Sequence, residues 1–367
     1  MTAPAPNLRV VILGLSITSS WGNGHATNYR ALVRALEERG HDVLFLERDV
    51  PWYAAQRDLA RPPHGRTALY SSVDELKNLF AGDVAAADLV VVGSYVPDGI
   101  DVSRWVVSEA GGVKAFYDID TPVTLAALEE NGCEYLTADL VASFDLYLSF
   151  TSGPTLDVLA ERYGSPRPRA FHCLVDPDAY RPLPGPQRWD LGYLGTYSDD
   201  RQPALDRLLL EPARRRPDLR MVVAGPGYPG TIGWPANVER IEHLAPADHP
   251  AFYAGQRLAL NVTRADMVRA GWSPSVRLFE AAACAVPVVS DRWDGLGSFF
   301  VPGEEIFLAD GADDVLDVLD ILDDQTRQVV GDRARRRVVA EHTAAHRARE
   351  LEDAVGDLLP DLLGALR

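Results

Sequence analysis

The feature that most limits what this chain can fold into is an alternation of short apolar runs with amphipathic stretches, and the alternation is played through twice. "LRVVILGLSI" reads as a buried strand, and "HATNYRALVRALEERG" follows with apolar residues at helical spacing and a closing glycine, so it reads as a helix. "HDVLFLERD", "ADLVVVGSY", "VKAFYDID" and "FDLYLSF" are further strands, with helical stretches such as "PVTLAALEENG" between them. Strands that are apolar along their whole length have both faces covered, which predicts a parallel sheet with helices on either side. "YRPLPGPQRWD" then gathers prolines and a glycine, the signature of a hinge near residues 181–188. Beyond it the pattern restarts, with "DLGYLGT", "LRMVVAGPG", "RLALNVT", "VPVVSD" and "EEIFLA" as strands and a helical tail from about Asp323. The expected fold class is α/β, with two tandem Rossmann-like doubly wound parallel-sheet domains facing across a cleft. They are expected over 1–180 and 181–345, with a C-terminal helix over 346–367 packing back toward the N-terminal domain. In such sheets ligands bind beyond the carboxyl ends of the strands.

At 367 residues the chain is long enough for two cores. Its 36 basic residues against 53 acidic ones give a formal charge of −17. That surface repels phosphate backbones and anionic lipids, so neither nucleic acid nor a membrane surface is an expected partner. An anionic ligand must bind where local arginines and backbone amides outweigh the global field. No apolar stretch reaches the length of about 18 residues that a membrane span needs, and no basic region precedes the first apolar run, so a cytoplasmic location is expected. Cys133, Cys173 and Cys284 are too few and too scattered for a disulfide framework or a zinc ribbon. There is no H-E-x-x-H, no G-x-S-x-G elbow and no Walker loop. "NVT" at Asn261 matches a glycosylation sequon, but in a cytosolic chain it is only three strand residues.

"SPSVRLFEAAACAVPVVSD", Ser273 to Asp291, carries one arginine and one glutamate near the start of an otherwise apolar helix. Ser273 is the expected cap and Pro274 suits a first turn. The amides of Ser275, Val276 and Arg277 then lack helical acceptors and sit at the positive end of the macrodipole, a ready anion site. Arg277 adds a guanidinium suited to phosphate. Glu280 follows Val276 by four residues, about 6 Å along the axis, where a carboxylate can accept hydrogen bonds from a ribose. The same spacing also describes an ordinary amphipathic helix with an internal Arg–Glu pair.

The segment "SVRLFEAAACAVPVVSD" followed by "GLGSFFVPGEEIFLA" resembles the nucleotide-binding part of GT-B glycosyltransferases, and most closely the CgeB-like (spore maturation protein-like) group. "LGYLGTYSDDRQPAL", "VVAGPGYP", "VERIEHLAP" and "LNVTRAD" stand where that family has loops at the ligand. The resemblance covers roughly residues 145–350 well and the N-terminal half more loosely. It implies a nucleotide-sugar donor held by the C-terminal domain and an acceptor held by the N-terminal one. It further implies that Glu280 binds ribose and that Arg277, with the amides of Ser275 and Val276, binds diphosphate. Gly195 and Thr196 allow close backbone approach to the phosphates, Arg201 and Arg264 are additional cations, and His243 and Leu244 cradle the base. One departure stands out: related retaining families have two glutamates eight positions apart, and Trp272 occupies the first of these positions. Donor sugar and stereochemistry are open on that account.

In the N-terminal half, "GLSITSSWGNGHATNYR" follows the first strand, and its glycines permit a loop near a ligand. It lacks the dinucleotide fingerprint. His25 stands at the start of the first helix, where an imidazole can deprotonate an acceptor hydroxyl or simply cap the helix; Asn23, Gly24 and Asn28 fall on the same acceptor side. Asp118 and Asp120 of "YDIDTP" end a strand, as acceptor-side groups or, for Asp120, as a helix cap. Asp-x-Asp also resembles the metal motif of GT-A glycosyltransferases, but two tandem sheets and the Glu280 helix favour GT-B, where a helix dipole and arginines take the metal's place.

The function expected from these residues and the resemblance is a metal-independent glycosyltransferase. It needs no cofactor and takes a nucleoside-diphosphate sugar and an acceptor hydroxyl or amine. A nucleotide-sugar epimerase of the same fold and a non-catalytic sugar-nucleotide-binding protein are the alternatives.

Overall fold

The computed structural model describes residues 7–130 and 132–358. The part of the expected C-terminal helix over 359–367 lies outside the described residues.

Two compact units form. The first takes the chain through Ser20, Gly24–His172 and the segment from Ala344 on; the second takes Trp21–Asn23 and Cys173–Thr343. In the first, β1 (Arg9–Gly14), β2 (Asp42–Arg48), β3 (Arg66–Tyr70), β4 (Leu89–Gly93), β5 (Val113–Asp118), β6 (Leu146–Ser149) and β7 (Pro168–Ala170) make one parallel sheet in the order β3-β2-β1-β4-β5-β6-β7. Side chains alternate across a strand. Val11 and Leu13 join one core with Leu44, Val90, Val92, Val102 and Val106, while Val10 and Ile12 are as deeply buried on the other face.

In the second unit β8 (Trp189–Leu194), β9 (Met221–Ala224), β10 (Val238–Ile241), β11 (Gln256–Asn261), β12 (Val288–Ser290) and β13 (Phe307–Leu308) run parallel in the order β10-β9-β8-β11-β12-β13. Leu191, Tyr193, Val223, Leu258 and Leu260 pack there with Val315 and Leu319 of the helix Ala312–Ile321. The order reverses at β1/β4 in one sheet and at β8/β11 in the other, and loops leaving the carboxyl ends at such points are where ligands bind in this class.

Several expectations are corrected. The first strand ends at Gly14 rather than Ile17, because the Glu47 carboxylate of β2 draws the following loop over itself. It accepts the Ile17 amide at 2.7 Å, the Thr18 amide at 2.9 Å and the Thr18 hydroxyl at 2.6 Å. The short strands β3, β7 and β10 were not expected. The tail breaks into two helices, Asp324–Glu341 and Ala344–Gly356. Thr343, between them, pairs with Val175. Residues 181–188 are irregular, as their prolines dictate, while the change of unit comes earlier, after His172. The helix that begins at Gln202 widens at Asp206–Leu210, where the Glu211 amide reaches back to Asp206 O. Pro212 explains the widening: it has no N–H to give, and its ring crowds the carbonyl one turn back.

Candidate functional site

In the second unit the helix Val276–Ala283 starts two residues later than the sequence suggests. Ser273 and Pro274 lie outside the helix, in irregular backbone. Ser275 becomes the N-cap, with φ −87° and ψ 152°. No side chain caps the first turn, because the Ser275 hydroxyl turns away to donate to Asn261 Oδ1 at 2.7 Å. The first amides of the helix, at Val276 and Arg277, therefore keep the orphan geometry that suits an anion.

Arg277 is pinned beside them. Its Nε donates to Leu194 O at the end of β8, its Nη1 donates to Asn261 Oδ1 at 2.8 Å, and its guanidinium carbon lies 4.5 Å from the centre of the Tyr193 ring. Much of the guanidinium is thus spent on the protein, which fixes it at the carboxyl ends of β8 and β11. Nη2 faces Gly195, where a Cβ would come within 2.8 Å of it. The neighbouring loop is as tight. Gly225, with φ +138°, allows its backbone to meet Gly195 O, which a Cβ would approach to 2.1 Å. Tyr228 donates its hydroxyl to the same oxygen at 3.1 Å.

Glu280 is buried one turn along. Tyr253 donates to its Oε2 at 3.1 Å, and His249 Nδ1 stands 3.7 Å from that oxygen and 3.0 Å from the Tyr180 hydroxyl. Burial and the Glu280 carboxylate raise both phenols far above their usual range, so they stay protonated and face the carboxylate as donors. Of the remaining donor-side residues, Arg201 donates to Thr196 O at 2.8 Å, and its Nε is buried with no hydrogen-bond partner among the described residues. Arg264 Nε lies 3.4 Å from Asp200, which also accepts the Ala265 amide at 3.1 Å and so ties the loop after β8 to the loop after β11. The His243 ring packs 4.6 Å from that of Trp21, and Leu244 offers its carbonyl to His249 Nε2 at 3.3 Å. Trp272 takes a positive φ of 45°, and its indole packs where a side chain on Gly295 would stand.

Sequence reasoning passed over His249, Tyr253 and Asn261. Asn261 is wholly buried and sits at the centre of the hydrogen bonds around Arg277.

In the first unit His25 opens the helix His25–Glu38, its ring edge-on to Tyr95 with centroids 5.5 Å apart. Burial pulls its pKa below the usual value while the Asp120 carboxylate pushes back. Tyr95 in turn donates to Asp120 Oδ2 at 3.1 Å. Three strand ends, those of β1, β4 and β5, thus bring His25, Tyr95 and Asp120 together. Tyr95 was not expected here; its signal was an aromatic residue directly after the Gly-Ser that ends an apolar strand. Its φ of +63° is sterically costly for a tyrosine, the kind of strain held at functional positions.

Asp118 does not join them. It is fully buried, accepting from Tyr147 at 2.6 Å, from Thr124 at 2.9 Å and from the Asp120 amide at 3.2 Å, and burial raises its pKa to about 6. An aspartate so enclosed anchors the strand end rather than meeting an acceptor. Asp120 occupies the N-cap position of Thr121–Glu129 without a capping bond from its side chain. Among the described residues no three His, Cys, Asp or Glu converge as a metal site would require. Gly24 O accepts from Thr27 and from Asn28, which is buried in the helix, while Asn23 is half-buried in the segment grouped with the second unit. No helix among the described residues is long and apolar enough to cross a membrane.

The profile of a family described as glycosyl transferase-like matches residues 201–353. No curated protein matches at the sequence level. Among solved structures, sucrose-phosphate synthase from Thermosynechococcus elongatus is similar with a TM-score of 0.68 at 15% identity, over 97% of this chain and 99% of its own. Anabaena Alr3699/HepE, in complex with UDP and glucose, is similar at 0.69 and 13%, over 95% and 100%. An alpha-glucosyltransferase in complex with UDP and a 13-mer DNA is similar at 0.71 and 10%, over 96% and 100%. Such identities speak for architecture, and the architecture agrees with the two parallel sheets found here: the chain has the GT-B glycosyltransferase fold.

Proposed function

We propose that this protein is a glycosyltransferase of the CgeB-like kind that moves a hexosyl group from a nucleoside-diphosphate sugar to an acceptor hydroxyl or amine, with no metal ion. The observation that carries this is the uncapped start of the helix Val276–Ala283 with Arg277 fixed beside it and Glu280 buried one turn on. All three lie inside a region that matches a glycosyl transferase-like family. As the donor bond breaks, charge gathers on the leaving diphosphate, and pre-placed amides and a guanidinium stabilise that charge without reorganising. Glu280 then takes the ribose hydroxyls, and His243 and Leu244 take the base. Two structurally similar proteins are in complex with UDP, which makes uridine nucleotides the first donors to try. One of them is bound to DNA as well, but a formal charge of −17 favours a small or neutral acceptor here. On the acceptor side His25, held against Tyr95 with Asp120 nearby, is the proposed base.

The test is a thermal-unfolding panel of nucleoside diphosphates, followed by incubation with the matching nucleotide sugar. A ligand at a hundred times its dissociation constant adds about 2.7 kcal/mol of stability, enough to rank bases. Stabilisation by one nucleotide, then slow donor hydrolysis that persists in EDTA, is the expected result. Stabilisation by none overturns the proposal, and an isomerised sugar in place of hydrolysis makes the protein an epimerase.

A further inference from the structure

Asn261 is the last residue of β11 and has no exposed surface. A neutral amide has two N–H donors and two lone pairs on its oxygen, and all four are used. Its Oδ1 accepts from the Ser275 hydroxyl at 2.7 Å and from Arg277 Nη1 at 2.8 Å. Its Nδ2 donates to the Thr263 hydroxyl at 3.1 Å and to the Ser290 hydroxyl at 2.9 Å. A guanidinium can only donate, so it fixes which way round the amide sits.

The two hydroxyls, having accepted from Asn261, donate onward. Thr263 gives its proton to Asp291 Oδ1 at 2.8 Å, and Ser290 donates to the Asp291 carbonyl at 3.0 Å with Oδ1 at 3.2 Å. Asp291 Oδ2 also accepts the Thr263 amide at 2.9 Å. Every bond therefore points the same way, from the Arg277 cation through Asn261 and two hydroxyls to the Asp291 anion. The chain joins the ends of β11 and β12 to the first turn of the Glu280 helix.

We infer that Asn261 is the positioning residue that sets Arg277 and the cap residue Ser275 for the donor's diphosphate, and that it does so by imposing one direction on the hydrogen bonds running to Asp291. This rests on the reading under Proposed function, and it gives a role to a residue whose sequon suggests only a glycosylation site. Burial closes that use of it in the folded chain. A carboxylate at 261 has nothing to donate to Thr263 and Ser290, which have already spent their protons on Asp291. An amide at 291 instead pushes its own protons at two hydroxyls that already accept from Asn261. Each single exchange leaves like groups facing each other, whereas the double exchange reverses the two hydroxyl links between 261 and 291, leaves the Arg277 and Ser275 bonds to 261 as they are, and gives up only the Ser290 bond to the carbonyl of 291.

The experiment uses full-length wild type, N261D, D291N and N261D/D291N, with UDP and inorganic pyrophosphate as probes in calorimetry and with urea unfolding in their absence. N261D is expected to bind both probes at least tenfold more weakly than wild type, and the double variant to recover to within about threefold. UDP affinity unchanged in folded N261D, or a double variant no better than the weaker single one, overturns the inference. If N261D does not fold, D291N and the double variant decide: the second substitution must raise the urea midpoint, and a lower midpoint overturns the inference. If wild type binds neither probe, the functional reading fails, and the same urea comparison still decides whether the directional chain exists.

Discussion

The Arg277 guanidinium carbon lies 4.5 Å from the centre of the Tyr193 ring, so the cation of the proposed donor site rests on an aromatic face while its fork is held by the Leu194 carbonyl and the Asn261 side chain. An ammonium on a flexible stem cannot copy this, since it offers no planar fork and is more strongly hydrated. Arg277→Lys keeps the charge and loses the geometry. Leaving buried acceptors at Leu194 and Asn261 short of donors is expected to cost about 1–3 kcal/mol of stability, read from urea unfolding, with nucleotide affinity falling as well. Unchanged values on both would show that only the charge at 277 matters.

Glu280→Gln tests the ribose assignment with little change of shape. The Tyr253 hydroxyl can still donate to the amide oxygen, so the fold should survive. Losing the charge from a hydrogen-bonded partner should weaken nucleoside-diphosphate binding by about 1.5–3 kcal/mol. Calorimetric affinity equal to wild type in a folded variant removes Glu280 from the site.

For His25 the signs are explicit. Burial lowers its pKa below the usual 6.5, with the Asp120 carboxylate opposing. A base is active when neutral, so turnover should climb as pH rises through that lowered value and be level by pH 7. His25→Ala should lower turnover by roughly 10²–10⁴-fold and lose the acid limb, with donor binding nearly unchanged. Turnover within a few-fold of wild type, measured with the true acceptor, sinks the assignment.

Asp118 gives a prediction on stability alone. Its pKa is raised from 3.8 to about 6 by burial, so between those values the folded chain binds a proton that the unfolded chain does not. The stabilising contribution is present at low pH and is lost as pH rises through about 6, for a total of about 3 kcal/mol. Asp118→Asn should keep the fold, because Tyr147 can turn to accept from the new amide. It should also flatten stability between pH 4 and 6, measured by chemical unfolding across that range. An unaltered pH dependence in the variant assigns the titration to another group.

The sheet cores were legible because their strands are apolar on both faces, a pattern that survives without any knowledge of neighbours. β3, β7 and β10 were not, since "RTALY", "PRA" and "VERI" are short, partly exposed and polar, and only pairing with an adjacent strand makes them strands. Around the site, Arg277 and Glu280 stood out by spacing on one helix, whereas their partners come from β11 and from the helix His249–Ala254. Nothing local in "NVT" says that its asparagine is sealed between two charges. Ser273 misled because a Ser-Pro pair resembles a helix start, and nothing local in the sequence says that a second serine two residues on takes the cap position instead. Asp118 looked like a site residue by its place at a strand end, and the three donors that enclose it come from positions that spacing does not connect.

The helix Ala344–Gly356 packs against His25–Glu38, and its Glu352 accepts from Arg39 and, at 2.7 Å, pairs with His41. The first unit is thus finished by a segment that follows the whole second unit in the sequence. While the ribosome is still making the second unit, the N-terminal sheet waits with one helix face uncovered and with Arg39 and His41 lacking their carboxylate. A stop codon before residue 344 would therefore injure the unit that was made first, and the more recently made one would keep its own sheet whole.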